Sequence, residues 1–176
     1  MPKPVHKIIG TRAGQVYLGI DPGKSGGIAY VTQGGLLLEY HPMPSTDYDI
    51  WKIFRGNKGV TKAYIEKVHA MPKQGVTSMF TFGMNYGKLL MALTAASIPF
   101  QEVTPHTWQK KIGITSKAKG ESTLQHKDRI RAKCQQLFPK APLWQENLGY
   151  QRSVTDAIMI ALYCQRTENF NGAKKK

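Results

Sequence analysis

Cysteine is scarce in this sequence of 176 residues, and long apolar runs are absent. The two cysteines, Cys134 and Cys164, have no paired spacing, which argues against both a disulfide framework and a zinc site. No apolar segment approaches the roughly 18 residues that a membrane span requires. The basic N-terminus lacks the hydrophobic segment of a secretory signal. These absences favour a globular protein in a reducing compartment.

Acidic residues are also few: 11 Asp and Glu stand against 25 Lys and Arg, which gives a formal net charge of +14. The imbalance is greatest between Pro105 and Lys140, where nine basic residues accompany only two acids, Glu121 and Asp128. Salt bridges along a helix cannot neutralise most of these bases. Such an excess favours a polyanionic partner, and nucleic acid is the commonest one.

Hydrophobic periodicity and turn signals predict a single α/β domain with one mixed sheet of five strands, flanked by helices. The predicted strands are Gln15–Ile20, Gly27–Val31, Leu36–Tyr40, Ala63–Val68 and Phe100–Val103, and the predicted helices are Asp47–Arg55, Thr77–Ser97, Thr104–Lys111, Leu124–Leu137 and Val154–Gln165. We expect the domain to span residues 15–168. Residues 1–14 are predicted to be a flexible basic extension, and residues 169–176 a basic disordered tail.

Three of the few acidic residues occupy informative positions. Asp21 ends the first predicted strand, Glu66 lies inside the apolar fourth strand, and Asp156 opens the last helix. Each has a structural alternative. Asp21 fits a turn, and Glu66 fits a salt bridge with a Lys or Arg. Asp156 fits the end of a capping box that begins at Ser153.

Taken together, the three carboxylates indicate chemistry. If the first and fourth strands are neighbours, Asp21 and Glu66 converge at one edge of the sheet, and the helix that carries Asp156 closes a third side. Converging carboxylates repel one another, and a hard cation such as Mg²⁺ relieves the repulsion. Beside a phosphate-binding surface, this cluster predicts metal-assisted phosphodiester hydrolysis with two ions.

Three segments resemble the acidic motifs of the RuvC group of Holliday junction resolvases, which belong to the ribonuclease H-like superfamily. These segments are Gly19–Gly27, Tyr64–Val68 and Thr155–Ala161. Three further segments resemble the branch that holds phage and bacterial RuvC-like proteins and the chloroplast resolvases of plants: Met71–Gly75, Phe80–Gly87 and Val103–Lys111. The resemblance runs from about Gln15 to Gln165, and it implies a ribonuclease H-like fold.

The resemblance also implies an activity. A resolvase of this kind is a homodimer that binds a four-way DNA junction and nicks two strands symmetrically in recombination and repair, with Mg²⁺ or Mn²⁺ and no small-molecule cofactor. Asp21, Glu66 and Asp156 match its metal ligands. The fourth ligand, commonly an acid or His, is here Ser153, which predicts a weak second metal site. The resemblance places the lysine near the scissile phosphate at Lys110 or Lys111, and of these two we assign Lys110.

The predicted DNA contacts lie after the catalytic strand and in the basic segment. They are Lys73, Gln74, Lys110, Lys111, Lys117, Lys119, Lys127 and Arg129. The resemblance places the helix around Gly83 and Gly87 at the dimer interface. It implies the cytoplasm of a bacterial or phage-infected cell, rather than an organelle, and no association with a membrane.

Two alternatives remain open from the residues. One is a ribonuclease H-like nuclease that acts on RNA or on other branched DNA. The other is a junction-binding protein with a catalytically weak site, which the Ser at position 153 keeps in consideration. The long basic segment and the Met71–Gly75 insertion favour branched DNA.

Overall fold

The computed structural model describes residues 14–56, 59–68, 75–141, 143 and 147–174, so the predicted basic extension lies outside the described residues except for Gly14. Five strands and five helices occur in these ranges. The strands are β1 (Val16–Asp21), β2 (Gly27–Thr32), β3 (Leu37–Pro42), β4 (Val60–Glu66) and β5 (Phe100–Val103). The helices are α1 (Asp47–Gly56), α2 (Val76–Ala95), α3 (Pro105–Lys111), α4 (Thr123–Leu137) and α5 (Leu148–Lys174).

The five strands form one sheet in the order β3-β2-β1-β4-β5. β1, β2 and β3 form an antiparallel meander, whereas β4 pairs in parallel with both β1 and β5. The predicted mixed sheet of five strands is therefore confirmed. The expected adjacency of the first and fourth strands is confirmed as well, because Ile20 of β1 pairs with Ile65 of β4.

Helices cover both faces of the sheet, and each face has its own apolar cluster. α5 contributes the largest share of one cluster, where Trp108 of α3 and Ile130 of α4 join it against Tyr17 and Tyr64. α1 and α2 form the other cluster with Leu18 and Ile20. β1 is buried on both faces for this reason. Within the described residues, no helix combines the length and the apolar character needed to cross a bilayer.

α5 crosses β1 at Gly19 with no room for a side chain. A Cβ atom on Gly19 would overlap the backbone of Ala157 and Ala161. A Cβ on Gly27, at the start of β2, would lie 2.9 Å from the carbonyl oxygen of Ser153. These two glycines let the helix backbone touch the sheet, which brings Asp156 close to the end of β1.

The start of α5 differs from the prediction, and the capping box at Ser153 is wrong. The helix begins at Leu148, so Ser153 and Asp156 lie inside it. The backbone N–H of Tyr150 donates to Oδ1 of Asn147 at 2.9 Å, so Asn147 caps the helix. The Ser153 hydroxyl instead donates to the Tyr150 carbonyl oxygen at 2.7 Å, a bond within the helix.

The end of α5 also differs from the prediction. Residues 169–174, which were assigned to a disordered tail, are helical, and residues 175–176 lie outside the described residues. Tertiary hydrogen bonds hold the end of the helix. Asn169 accepts from the Tyr17 hydroxyl and donates to the Gln33 carbonyl oxygen, and Glu168 accepts from the Tyr64 hydroxyl.

Gly19→Ala should destabilise the fold, because the new methyl group overlaps helix backbone that no side-chain rotation can move. We expect the free energy of unfolding in urea to fall by at least about 1–3 kcal/mol, the usual cost of overpacking. Gly34→Ala is the control, because its Cβ meets nothing closer than the Thr32 hydroxyl at 3.8 Å. Equal stabilities for the two variants would contradict the close crossing.

Candidate active site

Asp21 and Glu66 end neighbouring parallel strands, and both side chains are half-buried at the same edge of the sheet. Asp156 is also half-buried, and it precedes Ala157, whose backbone touches β1 at Gly19. The structure therefore brings the three predicted carboxylates to one place, from two strands and one helix.

The three carboxylates affect one another's ionisation. Burial and the negative charges of Asp21 and Asp156 together raise the pKa of Glu66 to about 8. Burial and the charge of Asp21 raise the pKa of Asp156 to about 7. Burial also raises the pKa of Asp21. The cluster therefore holds its protons far more tightly than exposed carboxylates do, and it gains from any nearby positive charge.

Hydrogen bonds orient two of the carboxylates. The Trp108 indole N–H donates to Oε2 of Glu66 at 2.7 Å, and it lowers the pKa of Glu66 against the effect of burial. The partner of Glu66 is therefore the Trp108 indole, and not the Lys or Arg of the salt bridge that the sequence suggested. The Gly23 N–H donates to Oδ1 of Asp21 at 3.2 Å, so Asp21 also has the turn role considered for it.

Trp108 is a site residue whose role is missing from the sequence analysis. It is fully buried in the core, as its apolar character indicates, but its indole nitrogen also contacts the site. Thr104 caps α3 by accepting from the Thr107 N–H, and this cap fixes the short helix that carries Trp108. The sequence signal was the pattern Thr-Pro-x-x-Trp directly after a strand.

Lys127 of α4, rather than Lys110, is the lysine beside the carboxylates. Its Nζ lies 3.9 Å from Oδ2 of Asp156. Its positive charge lowers the pKa values of Asp21, Glu66 and Asp156 against the effect of burial. Lys110 lines a separate cavity with His106 and Gln109. The assignment of Lys110 next to the reacting phosphate therefore gains no support from the geometry.

A salt bridge fixes the helix that carries Lys127. Asp128 accepts two hydrogen bonds from Arg152 of α5, from Nε at 3.0 Å and from a terminal nitrogen at 2.8 Å. Arg131, one turn further along α4, donates to Gln151. Bidentate pairs of this kind restrict both distance and orientation. They set the register of α4 against α5, and this register points Lys127 at Asp156.

The donor set suits a hard cation, but the side chains do not surround one as they stand. Among the described residues, no three Asp, Glu, His or Cys side chains meet closely enough to form a ready-made metal site. Asp21, Glu66 and Asp156 are nevertheless oxygen donors that raise one another's pKa values, and a divalent ion relieves that repulsion. Ser153 lies one turn before Asp156, with its hydroxyl proton given to Tyr150.

A basic loop connects the two helices that contact the carboxylates. It runs from residue 112 to residue 122, between α3 with Trp108 and α4 with Lys127. Four exposed lysines lie on this loop and on the end of α3, and no ion pair involves them within the described part of the chain. They are Lys110, Lys111, Lys117 and Lys119. The helices on either side of the loop contact two of the carboxylates, α3 through Trp108 and α4 through Lys127.

Arg129, one of the predicted DNA contacts, is engaged within the protein. It donates to both carboxylate oxygens of Glu121, at 2.7 and 2.9 Å, and to the carbonyl oxygens of Thr115 and Ser116. These hydrogen bonds hold the basic loop in place, so the guanidinium of Arg129 is already occupied within the protein. Lys73 and Gln74 lie outside the described residues, and their roles stay predictions.

The fold is that of RuvC. The solved structure of Thermus thermophilus RuvC has a TM-score of 0.61 with this chain at 17% identity, over 89% of this chain and 97% of that protein. The structure of T. thermophilus RuvC in complex with its Holliday junction substrate has a TM-score of 0.59 at 18% identity, over 89% and 96%. No family model matches the sequence, and no curated protein does. The predicted ribonuclease H-like fold is confirmed.

Asp156→Asn should stabilise the metal-free protein at high pH. The folded state raises the pKa of Asp156 from 3.8 to about 7. Its contribution to stability is therefore complete below about pH 4 and is lost as the pH rises through 7. In EDTA at about pH 8.5, we expect the substitution to raise the free energy of unfolding by roughly 1–3 kcal/mol, since removing one member relieves only part of a coupled cluster.

The effect of Asp156→Asn should be smaller at about pH 4.5, and thermal unfolding followed by circular dichroism at both pH values measures the difference. Added Mg²⁺ provides a second comparison. At about pH 8.5 it should stabilise the wild-type protein more than it stabilises the Asp156→Asn variant. A variant that is equally destabilised at both pH values would show that Asp156 is not electrostatically strained.

Proposed function

We propose that this chain is a structure-selective endodeoxyribonuclease that resolves four-way DNA junctions by metal-dependent nicking of two strands. One observation carries the proposal: three carboxylates lie within electrostatic reach of one another and of Lys127, in a chain with the RuvC fold. T. thermophilus RuvC has been solved with a Holliday junction substrate, and that substrate is the one we propose here.

The proposed reaction is hydrolysis of a phosphodiester at the sheet edge. Asp21, Glu66 and Asp156 would hold Mg²⁺, for which Mn²⁺ can substitute, in two sites, with Ser153 as a weak neutral ligand of the second. When bound, the ions activate water and stabilise the charge that develops on the leaving oxygen. Because a hydroxyl adds no charge, occupancy of the second site should require more metal than an acid at position 153 would.

The remaining residues act around the carboxylates. Trp108 holds one oxygen of Glu66, which fixes the rotamer of this carboxylate. Lys127 supplies a positive charge between Asp156 and an incoming phosphate. The exposed lysines of the basic loop attract the DNA backbone, and this attraction should be strongly salt-dependent, as phosphate contacts are.

A homodimer is proposed on the exposed face of α2. Four large apolar side chains on this helix remain exposed: Val76 at 86%, Phe80 at 69%, Met84 at 45% and Met91 at 64%. Neither Gly83 nor Gly87 has any atom near the position of a Cβ. Half of the eight large apolar residues that are exposed among the described residues therefore lie on one helix, and a second copy of α2 would cover them.

Junction cleavage tests the proposed function directly. Labelled four-way junction, linear duplex and structured RNA are each incubated with the protein in Mg²⁺ or in EDTA. We expect paired nicks in the junction with Mg²⁺ only. Preferential cleavage of RNA would favour the alternative nuclease, and binding of the junction without cleavage in Mg²⁺ would favour the catalytically weak junction-binding protein.

Asp21→Asn and Glu66→Gln should abolish cleavage and leave junction binding in EDTA unchanged or stronger. Each substitution removes one negative charge that holds metal and also repels phosphate. Gel shift in EDTA and nicking at saturating Mg²⁺ measure the two effects separately. Near-normal nicking rates in either variant would overturn the assignment of these carboxylates.

Lys127→Gln should slow nicking by about 10²-fold, the usual cost of removing one preorganised electrostatic group. Binding of the junction in EDTA should weaken much less, because the loop lysines remain. Lys140→Gln is the charge-matched control, since Lys140 is exposed beyond the end of α4. If the two variants nick at the same rate, Lys127 has no role at the carboxylates.

Phe80→Glu should dissociate the dimer, because it places a charge in an apolar interface. We expect the dimer dissociation constant, measured by sedimentation, to rise by more than about 30-fold. Leu124→Glu on α4 is the matched control, since Leu124 is 58% exposed but lies away from α2. A wild-type protein that sediments as a monomer at all concentrations would remove the proposed interface.

A further inference from the structure

A cavity beside α3 lies outside the carboxylate cluster. It has a volume of about 370 Å³ and is lined by His106, Gln109 and Lys110 of α3 and by residues 113–116 of the basic loop. Binding pockets for small molecules typically have volumes of roughly 300–1,000 Å³. The cavity is therefore at the lower end of this range, where a single nucleotide fits and a folded partner does not.

The cavity and the carboxylates lie on opposite sides of the same short helix. Trp108 faces inward from α3 and donates to Glu66, whereas Lys110 faces the cavity. A helix with its side chains is about 10 Å across, which equals about three stacked nucleotides at 3.4 Å each. A strand with its phosphate at Glu66 therefore reaches the cavity within a few nucleotides.

The wall of the cavity is held in place before any ligand binds. Arg129 donates to the Thr115 hydroxyl at 2.9 Å and to the carbonyl oxygens of Thr115 and Ser116 at 3.3 Å each. Gly113 adopts a φ of 79°, which lets the chain turn sharply from α3 into this wall. Glu121 neutralises Arg129, so Lys110 is the cation that remains for a ligand among the lining residues.

The lining combines the contacts that a nucleotide uses. Ile114 is 6% exposed and forms an apolar floor. The side chain of Gln109 has its oxygen 3.2 Å from His126, which leaves its NH₂ group to donate to a base edge. Lys110 supplies the charge for a phosphate, and the imidazole of His106 offers a flat surface for stacking.

We propose that this cavity binds one unstacked nucleotide of the substrate strand, with its base over Ile114 and its phosphate on Lys110. A base can enter only when it has left the helical stack, and extruding it costs least where its pairing is already disturbed, which we expect at the branch point of a junction. The inference thus rests on the proposed function. It adds a subsite that selects substrates with an extrahelical nucleotide near the cleaved bond.

The test uses a single-stranded tetranucleotide of thymidylate as the probe, in EDTA, so that neither metal nor cleavage is needed. Amide chemical shifts of the full-length, ¹⁵N-labelled protein are followed by NMR. We expect the largest shifts at Gly113, Ile114, Thr115 and Ser116. Lys110→Gln should weaken binding by about tenfold, the loss expected for one charge-assisted hydrogen bond, while Lys140→Gln should leave it unchanged.

Ser116→Trp provides a second variant, which fills the cavity. Arg129 bonds the carbonyl oxygen of Ser116 and not its hydroxyl, so the fold should be retained and the other amide signals should keep their positions. The tetranucleotide shifts at Gly113–Thr115 should disappear. Equal effects of Lys110→Gln and Lys140→Gln would overturn the inference, and so would the same shifts with inorganic phosphate alone at equal concentration.

This experiment separates the inference from the proposed function. If the protein nicks four-way junctions but the tetranucleotide shifts no residue of the cavity, the subsite is wrong and the nuclease stands. If the tetranucleotide binds in the cavity but no junction is cleaved, the nuclease is wrong, and the cavity stands as a site for single-stranded nucleotides.

Discussion

The contact between α5 and β1 at Gly19 is the constraint on which the rest of the structure depends. Because the helix backbone lies directly on the strand, Asp156 reaches the level at which Asp21 and Glu66 end their strands. Every residue of α5 from Val154 to Gln165 except Asp156 is buried, so the apolar burial that drives folding also holds the half-buried Asp156 against the sheet. The charge of Asp21 raises the pKa values of both Glu66 and Asp156, so the fold carries an electrostatic cost where the three carboxylates gather.

Around this constraint, each neighbouring element has both a structural and a chemical role. Trp108 fills the core and orients Glu66, and Asp21 closes a turn while it faces the cluster. Arg152 and Asp128 lock α4 against α5, and the same contact directs Lys127 to Asp156. Arg129, by contrast, uses its charge entirely within the protein. Four exposed lysines without an ion pair in the described part of the chain follow one another closely, Lys110 and Lys111 at the end of α3 and Lys117 and Lys119 on the basic loop.

The sequence predicted the sheet, its five strands and the meeting of three carboxylates, because period-two alternation and strand-ending acids are local signals. Prediction from the sequence failed where contacts between residues distant in the chain, and not the local pattern, determine the structure. The pattern Ser153-x-x-Asp156 resembles a helix cap. The helix in fact begins at Leu148, where Asn147 caps it, and these four residues alone do not reveal the earlier start. The helical end of α5 depends on Tyr17 and Gln33, which are distant in sequence. The contact of Lys127 with Asp156 depends on the register of α4 against α5, which only the folded chain defines.

The basic loop has an anchor at each end, and this arrangement has a mechanical consequence. Trp108 ties α3 to Glu66, and Lys127 ties α4 to Asp156. The loop is thus connected to two different carboxylates, to Glu66 through α3 and to Asp156 through α4. A displacement of the loop would therefore shift α3 and α4 together, and with them the groups that contact Glu66 and Asp156.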